Sequence, residues 1–181
     1  MTKNPMLFEF SIVASGVDRA AADYESRFYD HGCDDALVSF QKGRTIIDFE
    51  REAATIEDAI ASAVADVERA GAKVERVEPD PLVNLAEIAK RSCKTRAAIT
   101  NYAKGERQGD IPFPSPIARV TTDKPLYDWW EVSNWMCVAG LIGRETAIEA
   151  YAVHEANELL TCGVLMKAEL MKRMEAYRAT L

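Results

Sequence analysis

The stretch Asn84–Arg107, NLAEIAKRSCKTRAAITNYAKGER, constrains the chain most. It holds two short runs of helical spacing with a polar turn between them. Asn84 is a strong N-cap residue, and Glu87 three positions on completes a capping-box pair. Val83 and Ile88 stand where a hydrophobic staple would fix the entry angle. Leu85, Ile88 and Ala89 fall on one helical face, and the small Ala89 lets a second helix cross closely. Ser92-Cys93-Lys94 forms the turn, and Thr95 is the N-cap of the second helix. In that helix Ala98, Ile99 and Tyr102 point inward, which leaves Arg96, Ala97, Thr100, Asn101 and Lys104 outward.

Two helices so arranged form a helix-turn-helix, and the outward residues suit the major groove of DNA. Arg bridges a guanine edge, Asn an adenine edge, and Ala or Thr touches a thymine methyl. The expected base contacts are therefore Thr95, Arg96, Ala97, Thr100 and Asn101. Lys90, Lys94, Lys104, Arg107 and Arg119 are the expected phosphate contacts, which set register rather than sequence. The plainer alternative is a helical hairpin with a solvated charged face. The residues that follow favour the DNA reading.

Gln108 to Pro116 is a Gly- and Pro-containing loop. Ile117–Thr121 and Lys124–Tyr127 then read as a small hairpin with Thr122-Asp123 at its tip, the wing of a winged helix. Pro125 confines the second strand to an edge. Asp128 caps a further helix, with Glu131 as capping partner. Trp129, Val132 and Met136 share one face of it, flanked by Trp130 and Trp135, and these aromatics read as core.

From Leu82 to Met136 the chain resembles the helix-turn-helix proteins of the excisionase and MerR type. Their pattern is roughly E-I-A-x-R-x-G-x-[ST]-R-x-A-[IV]-[ST]-x-[WY]-x-x-G, then a wing containing F-P-x-P, then a Trp-rich helix. The matching residues are Glu87, Ile88, Ala89, Arg91, Thr95, Arg96, Ala98, Ile99, Thr100, Tyr102 and Gly105. Phe113, Pro114 and Pro116 match the wing, and Trp130, Val132 and Trp135 match the closing helix. Ser92 and Cys93 depart from the pattern, where Leu and Gly are usual. The resemblance implies sequence-specific DNA binding and regulation, and names no target gene.

The first part of the chain has a different rhythm. Phe8, Phe10, Ile12 and Ala14 alternate with Glu9 and Ser11, as in a half-buried strand. Asp18 reads as the cap of a helix reaching about His31, with Ala21, Tyr24 and Phe28 on one face and Gly32 as its C′ residue. Residues 35–50 read as a hairpin around Lys42-Gly43, with Val38 opposite Ile47 and Phe40 opposite Thr45. Thr55 caps a helix carrying Ile56, Ala59, Ile60, Ala63, Val64, Val67 and Ala70, and Ala72–Val77 returns as a last strand.

That order, β-α-β-β-α-β, predicts a ferredoxin-like domain over residues 1–78. Its open face would carry Glu9, Ser11, Leu37, Ser39, Ile46 and Asp48. Dimerisation through the sheet, small-ligand sensing as in ACT-like domains, and docking of a partner protein are all open to it. RNA binding is disfavoured, because the face lacks stacking aromatics.

Residues 79–81 read as a stiff acidic linker, and 82–138 as the winged helix-turn-helix. Residues 144–181 read as one long C-terminal helix, or two broken at Gly163, for dimerisation or packing. The fold class expected is thus α+β. The C-terminal stripe of Val153, Ala156, Leu160, Val164, Met171, Met174 and Leu181 needs a partner surface. Packing across a homodimer is favoured over packing on the chain itself, because a palindromic operator calls for two-fold symmetry.

The formal net charge of −7 argues at first against DNA. Its distribution answers that, since residues 1–81 hold 9 basic and 17 acidic side chains. Residues 90–119 instead carry Lys90, Arg91, Lys94, Arg96, Lys104, Arg107 and Arg119 against Glu106 and Asp110. A nucleic-acid footprint needs a local basic face, not a basic protein.

Cys33, Cys93, Cys137 and Cys162 form no CxxC pair. His31 and Cys33 read as a surface imidazole and a free thiol, so no metal or cofactor is expected. Asp34-Asp35 and Asp48-Phe49-Glu50 have no His or Lys arranged with them for acid–base work, so an enzyme is not expected. No apolar run approaches the ~20 residues of a membrane span, and no signal peptide is evident, which predicts a cytoplasmic protein. The partners expected are double-stranded DNA and a second copy. An antitoxin-like or adaptor role centred on a partner protein is the alternative.

Overall fold

A computed structural model of the chain describes residues 4–105, 111–163 and 166–181. The fold is mixed α+β. In chain order the elements are β1 (Met6–Ser15), α1 (Tyr24–Asp30), β2 (Ala36–Gln41), β3 (Arg44–Ala53), α2 (Ile56–Arg69), β4 (Lys73–Glu78), β5 (Leu82–Val83), α3 (Leu85–Arg91), α4 (Arg96–Ala103), β6 (Tyr127–Asp128), α5 (Trp129–Val138), α6 (Arg144–Cys162) and α7 (Met166–Arg178). They form two compact units, one of residues 1–79 with 152–179, the other of residues 80–151 with 180–181. The division falls inside α6, between Tyr151 and Ala152. Among the described residues no helix is long and apolar enough to cross a membrane.

The first unit is built on a four-stranded antiparallel sheet in the order β2-β3-β1-β4. The hairpin register is the expected one, Val38 opposite Ile47 and Phe40 opposite Thr45. Lys42 (φ 50°) and Gly43 (φ 81°) make the two-residue loop, whose left-handed dihedrals match the strand twist. The alternation in β1 also holds: Phe8, Phe10, Ile12 and Ala14 are buried on the helix-covered face. Val13 is buried on the other face, where it lies opposite Ile46 and Arg76, just before the register shift toward β4.

The helix expected from Asp18 begins only at Tyr24. Asp18 instead closes a turn, its carboxylate accepting from Ala20 N–H (2.9 Å) and its carbonyl from Ala21 N–H (3.1 Å). An Asx-type turn of this kind competes directly with helix initiation. Gly32 (φ 97°) follows the C-cap His31, in the C′ position expected of it.

α2 begins at the Thr55 cap, whose hydroxyl accepts from Asp58 N–H. It buries Ile56, Ala59, Ile60, Ala63, Val64 and Val67. Full burial of an Ile or Val side chain stabilises by about 1.5–3 kcal/mol. Arg51 is a buried charged group that no local sequence signal announces. Arg51, 7% exposed, donates to Asp35 (2.7 and 2.9 Å), Asp66 (2.7 Å), Ser62 Oγ (3.1 Å) and the Gly32 carbonyl (2.6 Å), and stacks 4.8 Å over the Phe49 ring.

Of the C-terminal stripe, Val153, Ala156 and Met174 are buried within the chain, Leu160 and Leu181 are half-buried, and Met171 is exposed. The chain breaks after α6 at Gly163 (φ 66°), and α7 packs against α2. Ala152, Val153, Ala156, Leu159, Leu170, Met174 and Tyr177 are buried by this arrangement. Ion pairs reinforce it: Arg178 with Glu57, Lys167 with Asp58 at 3.9 Å, and Arg173 with Glu155 at 2.6 Å. Helical periodicity shows that a face must be covered but not by what, and here intramolecular packing supplies the cover. Val164 lies outside the described residues.

Candidate nucleic-acid interface

The second unit places α3 and α4 in succession. Asn84 Oδ1 accepts from Ala86 N–H (2.9 Å) and Glu87 N–H (3.1 Å), while Glu87 reaches back to Asn84 N–H (2.7 Å). The capping box is complete. Ile88 and Ala89 are buried, as the one-face spacing requires.

α3 ends in a Schellman motif. Lys94 N–H bonds to the Ala89 carbonyl (2.9 Å) and Cys93 N–H to that of Lys90 (3.2 Å). Cys93, at φ 52°, occupies the left-handed position that usually belongs to glycine. The cysteine itself takes the strained left-handed conformation. Ser92 Oγ donates to the Ile88 carbonyl (2.7 Å) and is buried beneath the turn.

α4 starts at Thr95, whose Oγ1 accepts from Ala98 N–H (3.2 Å). Ile99 is its anchor, fully buried. Tyr102 packs on Trp135 of α5 with ring centroids 5.5 Å apart. These inward contacts turn the opposite face to solvent. Thr95, Arg96, Ala97 and Lys104 are exposed; Thr100 and Asn101 are half-buried. Thr100 Oγ1 donates to the Arg96 carbonyl (2.8 Å), so its proton is spent on the helix and the methyl remains for apolar contact. Asn101 makes no hydrogen bond among the described residues, and its amide is free to donate and accept together.

The expected phosphate contacts are also solvent-facing. Lys90 and Lys94 are exposed on α3 and its turn, and Arg119 (φ 51°) is exposed further along the chain. Arg107 lies outside the described residues. Among the described residues, Lys90, Lys94, Arg96, Lys104 and Arg119 enter no ion pair. By contrast Arg27, Arg44, Arg51, Arg69 and Arg76 of the first unit are each paired with a carboxylate. Arg91 stacks 5.5 Å from the Trp129 ring, so this basic residue is used in packing.

The expected wing is slighter than its sequence suggests. Ile117–Thr121 and Lys124–Tyr127 meet at one bridge, Ala118 with Leu126, with a turn in which Thr122 N–H bonds to the Arg119 carbonyl (3.0 Å). Tyr127-Asp128 pairs instead with Leu82-Val83, ahead of α3. This pairing, and the bond from Trp129 N–H to the Pro81 carbonyl (2.8 Å), tie the start of α3 to α5.

Phe113 sets its ring edge-on to Tyr127 (5.6 Å) and Trp135 (5.1 Å), and Trp135 Nε1 donates to the Ile111 carbonyl (3.0 Å). The aromatics are core, as read. Lys124, which sequence reasoning passed over, is exposed on the same hairpin as Arg119. Its position directly after the expected tip was the available signal.

Among the described residues no group of three or more His, Cys, Asp or Glu could hold a metal ion. His31 Nδ1 meets the Arg27 carbonyl at 2.7 Å. Cys33 is buried, and burial, with the Asp66 charge adding to it, pushes its thiol up to about 11, an unreactive state. Comparison of the chain with family models, with curated proteins and with solved structures gave no match.

Proposed function

We propose that this protein is a sequence-specific DNA-binding transcriptional regulator that reads the major groove with α4. The observation that carries the reading is the conjunction on one helix-turn-helix. Thr95, Arg96 and Ala97 are exposed and Thr100 and Asn101 half-exposed on α4, and the neighbouring cations have no carboxylate partner among the described residues. Guanidinium and carboxamide groups at the start and middle of such a helix are the chemistry of base-edge recognition. Unpaired lysines around them are the chemistry of phosphate contact.

On this reading the second unit is a winged helix-turn-helix with a minimal wing that carries Arg119 and Lys124. The first unit is ferredoxin-like, supported by its βαββαβ order and its β2-β3-β1-β4 antiparallel sheet. The protein acts as a homodimer in the cytoplasm, and autorepression is the simplest circuit.

Selection of bound duplexes from a random pool with the purified protein tests the proposal. Recovery of a common sequence, with the affinity falling steeply as salt rises, is the expected result. A pool that stays random at low salt overturns it.

A further inference from the structure

The two edges of the first unit's sheet are treated in opposite ways. At β4, sequence Lys-Val-Glu-Arg-Val-Glu, charges line the strand. The Asn157 side chain also takes up both main-chain groups of Val77. That edge is closed. At β2, sequence Ala-Leu-Val-Ser-Phe-Gln, there is no charge, no proline and no bulge. The two-residue loop closes on Gln41 opposite Arg44, so Gln41, Ser39 and Leu37 direct their main-chain groups to β3. Val38 and Phe40 therefore direct N–H and C=O outward, and among the described residues neither finds a partner there.

Folded proteins normally blunt such an edge, because it is a template for another strand. Grooves run along it beside α1, one bordered by Arg19, Tyr24 and Phe40, the next by Tyr29, Ala36 and Leu37. Tyr29 (66% exposed) and Leu37 (70% exposed) flank it as uncovered apolar side chains.

We infer that the occupant of this edge is β2 of a second copy, paired antiparallel about a two-fold axis at Val38. The strand is complementary to itself in that register. Val38 lies opposite Val38 and exchanges a reciprocal pair of hydrogen bonds, and each Phe40 N–H meets the Ala36 carbonyl of the other copy. Ala36 N–H is already used by the Cys33 carbonyl (3.3 Å), so the ladder ends there. Charge selects the same partner. Residues 1–81 carry a large acidic excess, and β2 is the strand that carries no charge, so two copies meet there without repulsion. The result is one continuous sheet across the dimer, and it supplies the two-fold symmetry that a palindromic site calls for.

Light scattering of the full chain at micromolar concentrations tests this without DNA, so it fails or stands independently of the regulator reading. The wild-type protein is expected at twice the chain mass. Val38→Pro removes the axial N–H, which β3 does not use, and Leu37→Lys sets lysines close together across the axis. Each is expected to weaken the dimer at least about tenfold, with thermal unfolding of the monomer unchanged. Leu37→Lys keeps the test open should the proline variant not fold, since that side chain is already in solvent. Oxidation of a Leu37→Cys, Ser39→Cys chain, with Cys93 and Cys162 replaced by serine, is expected to give a covalent dimer, because these positions face each other as a close non-hydrogen-bonded pair. Weakening of the dimer by either substitution in a folded chain supports the assignment. A wild-type protein at monomer mass, or a dimer that neither substitution weakens, overturns it.

Discussion

Asn157 completes the ladder of Val77 with a side chain. Its Oδ1 accepts from Val77 N–H at 2.8 Å and its Nδ2 donates to the Val77 carbonyl at 2.9 Å. One carboxamide thus does for β4 what a fifth strand would do. Leaving both groups of a fully buried residue without partners costs their desolvation. Asn157→Ala is expected to lower the unfolding free energy by about 2 kcal/mol in urea titrations. Asn157→Asp, which keeps an acceptor but loses the donor, should do no better than alanine. A loss within the error of the titration would show that water replaces the amide at that edge.

Cys93 gives a prediction of the opposite sign. An L-residue in the left-handed region costs about 1–2 kcal/mol relative to the right-handed one, and glycine avoids that cost while adding freedom to the unfolded chain. Cys93→Gly is expected to raise stability by about 0.5–1 kcal/mol, seen as a higher thermal midpoint. The Schellman bonds of Cys93 and Lys94 are main-chain bonds and survive the change.

Glu57 and Arg178 set an acid limit on the first unit. Burial of Glu57 pushes its carboxyl pKa up, but hydrogen bonds from Arg178 and the backbone, with the charge of Arg178, hold it below the ordinary glutamate value. A folded-state pKa below the unfolded one means that the carboxylate stabilises the fold fully above about pH 4.3 and loses that contribution as pH falls through the folded value. Glu57→Gln is expected to cost about 1–3 kcal/mol at neutral pH, less than a wholly buried pair because Arg178 is 31% exposed. The gap to wild type should close as pH falls below about 4. A gap that is flat with pH would mean that packing, not charge, is lost.

Three substitutions separate reading from holding at the proposed interface. Arg96→Ala and Asn101→Ala are each expected to lose about 1–3 kcal/mol of discrimination at one base position. Lys104→Ala should weaken all sequences alike and flatten the salt slope by about one. Binding assays over a salt series distinguish these outcomes, and equal effects of all three on every sequence would remove base readout from α4.

What the sequence determined by itself was local. The capping box at Asn84 and Glu87, the cap at Thr95, the loop at Lys42-Gly43 and the alternation in β1 depend on neighbours within a few positions, so residue type and spacing specify them. The Asp18 turn marks the limit of this, since the same aspartate can open a helix or close a turn, and the backbone of Ala20 and Ala21 took the second course. Part of the outward set on α4 was legible as well: Arg96, Ala97 and Lys104 are exposed opposite the buried Ile99, while Thr100 and Asn101 are half-buried.

Tertiary structure alone decided which distant groups meet. A two-residue strand has no periodicity to announce it, so nothing in Leu82-Val83 points to Tyr127-Asp128. No local pattern marks Arg51, and only folding brings Asp35 and Asp66 around it. An apolar stripe states that a cover is needed and is silent about its source, and in this chain α2 and α7 supply it to each other. The free edge of β2 belongs to the same class, because a main-chain donor is present at every residue and only the finished sheet shows which ones remain unpaired.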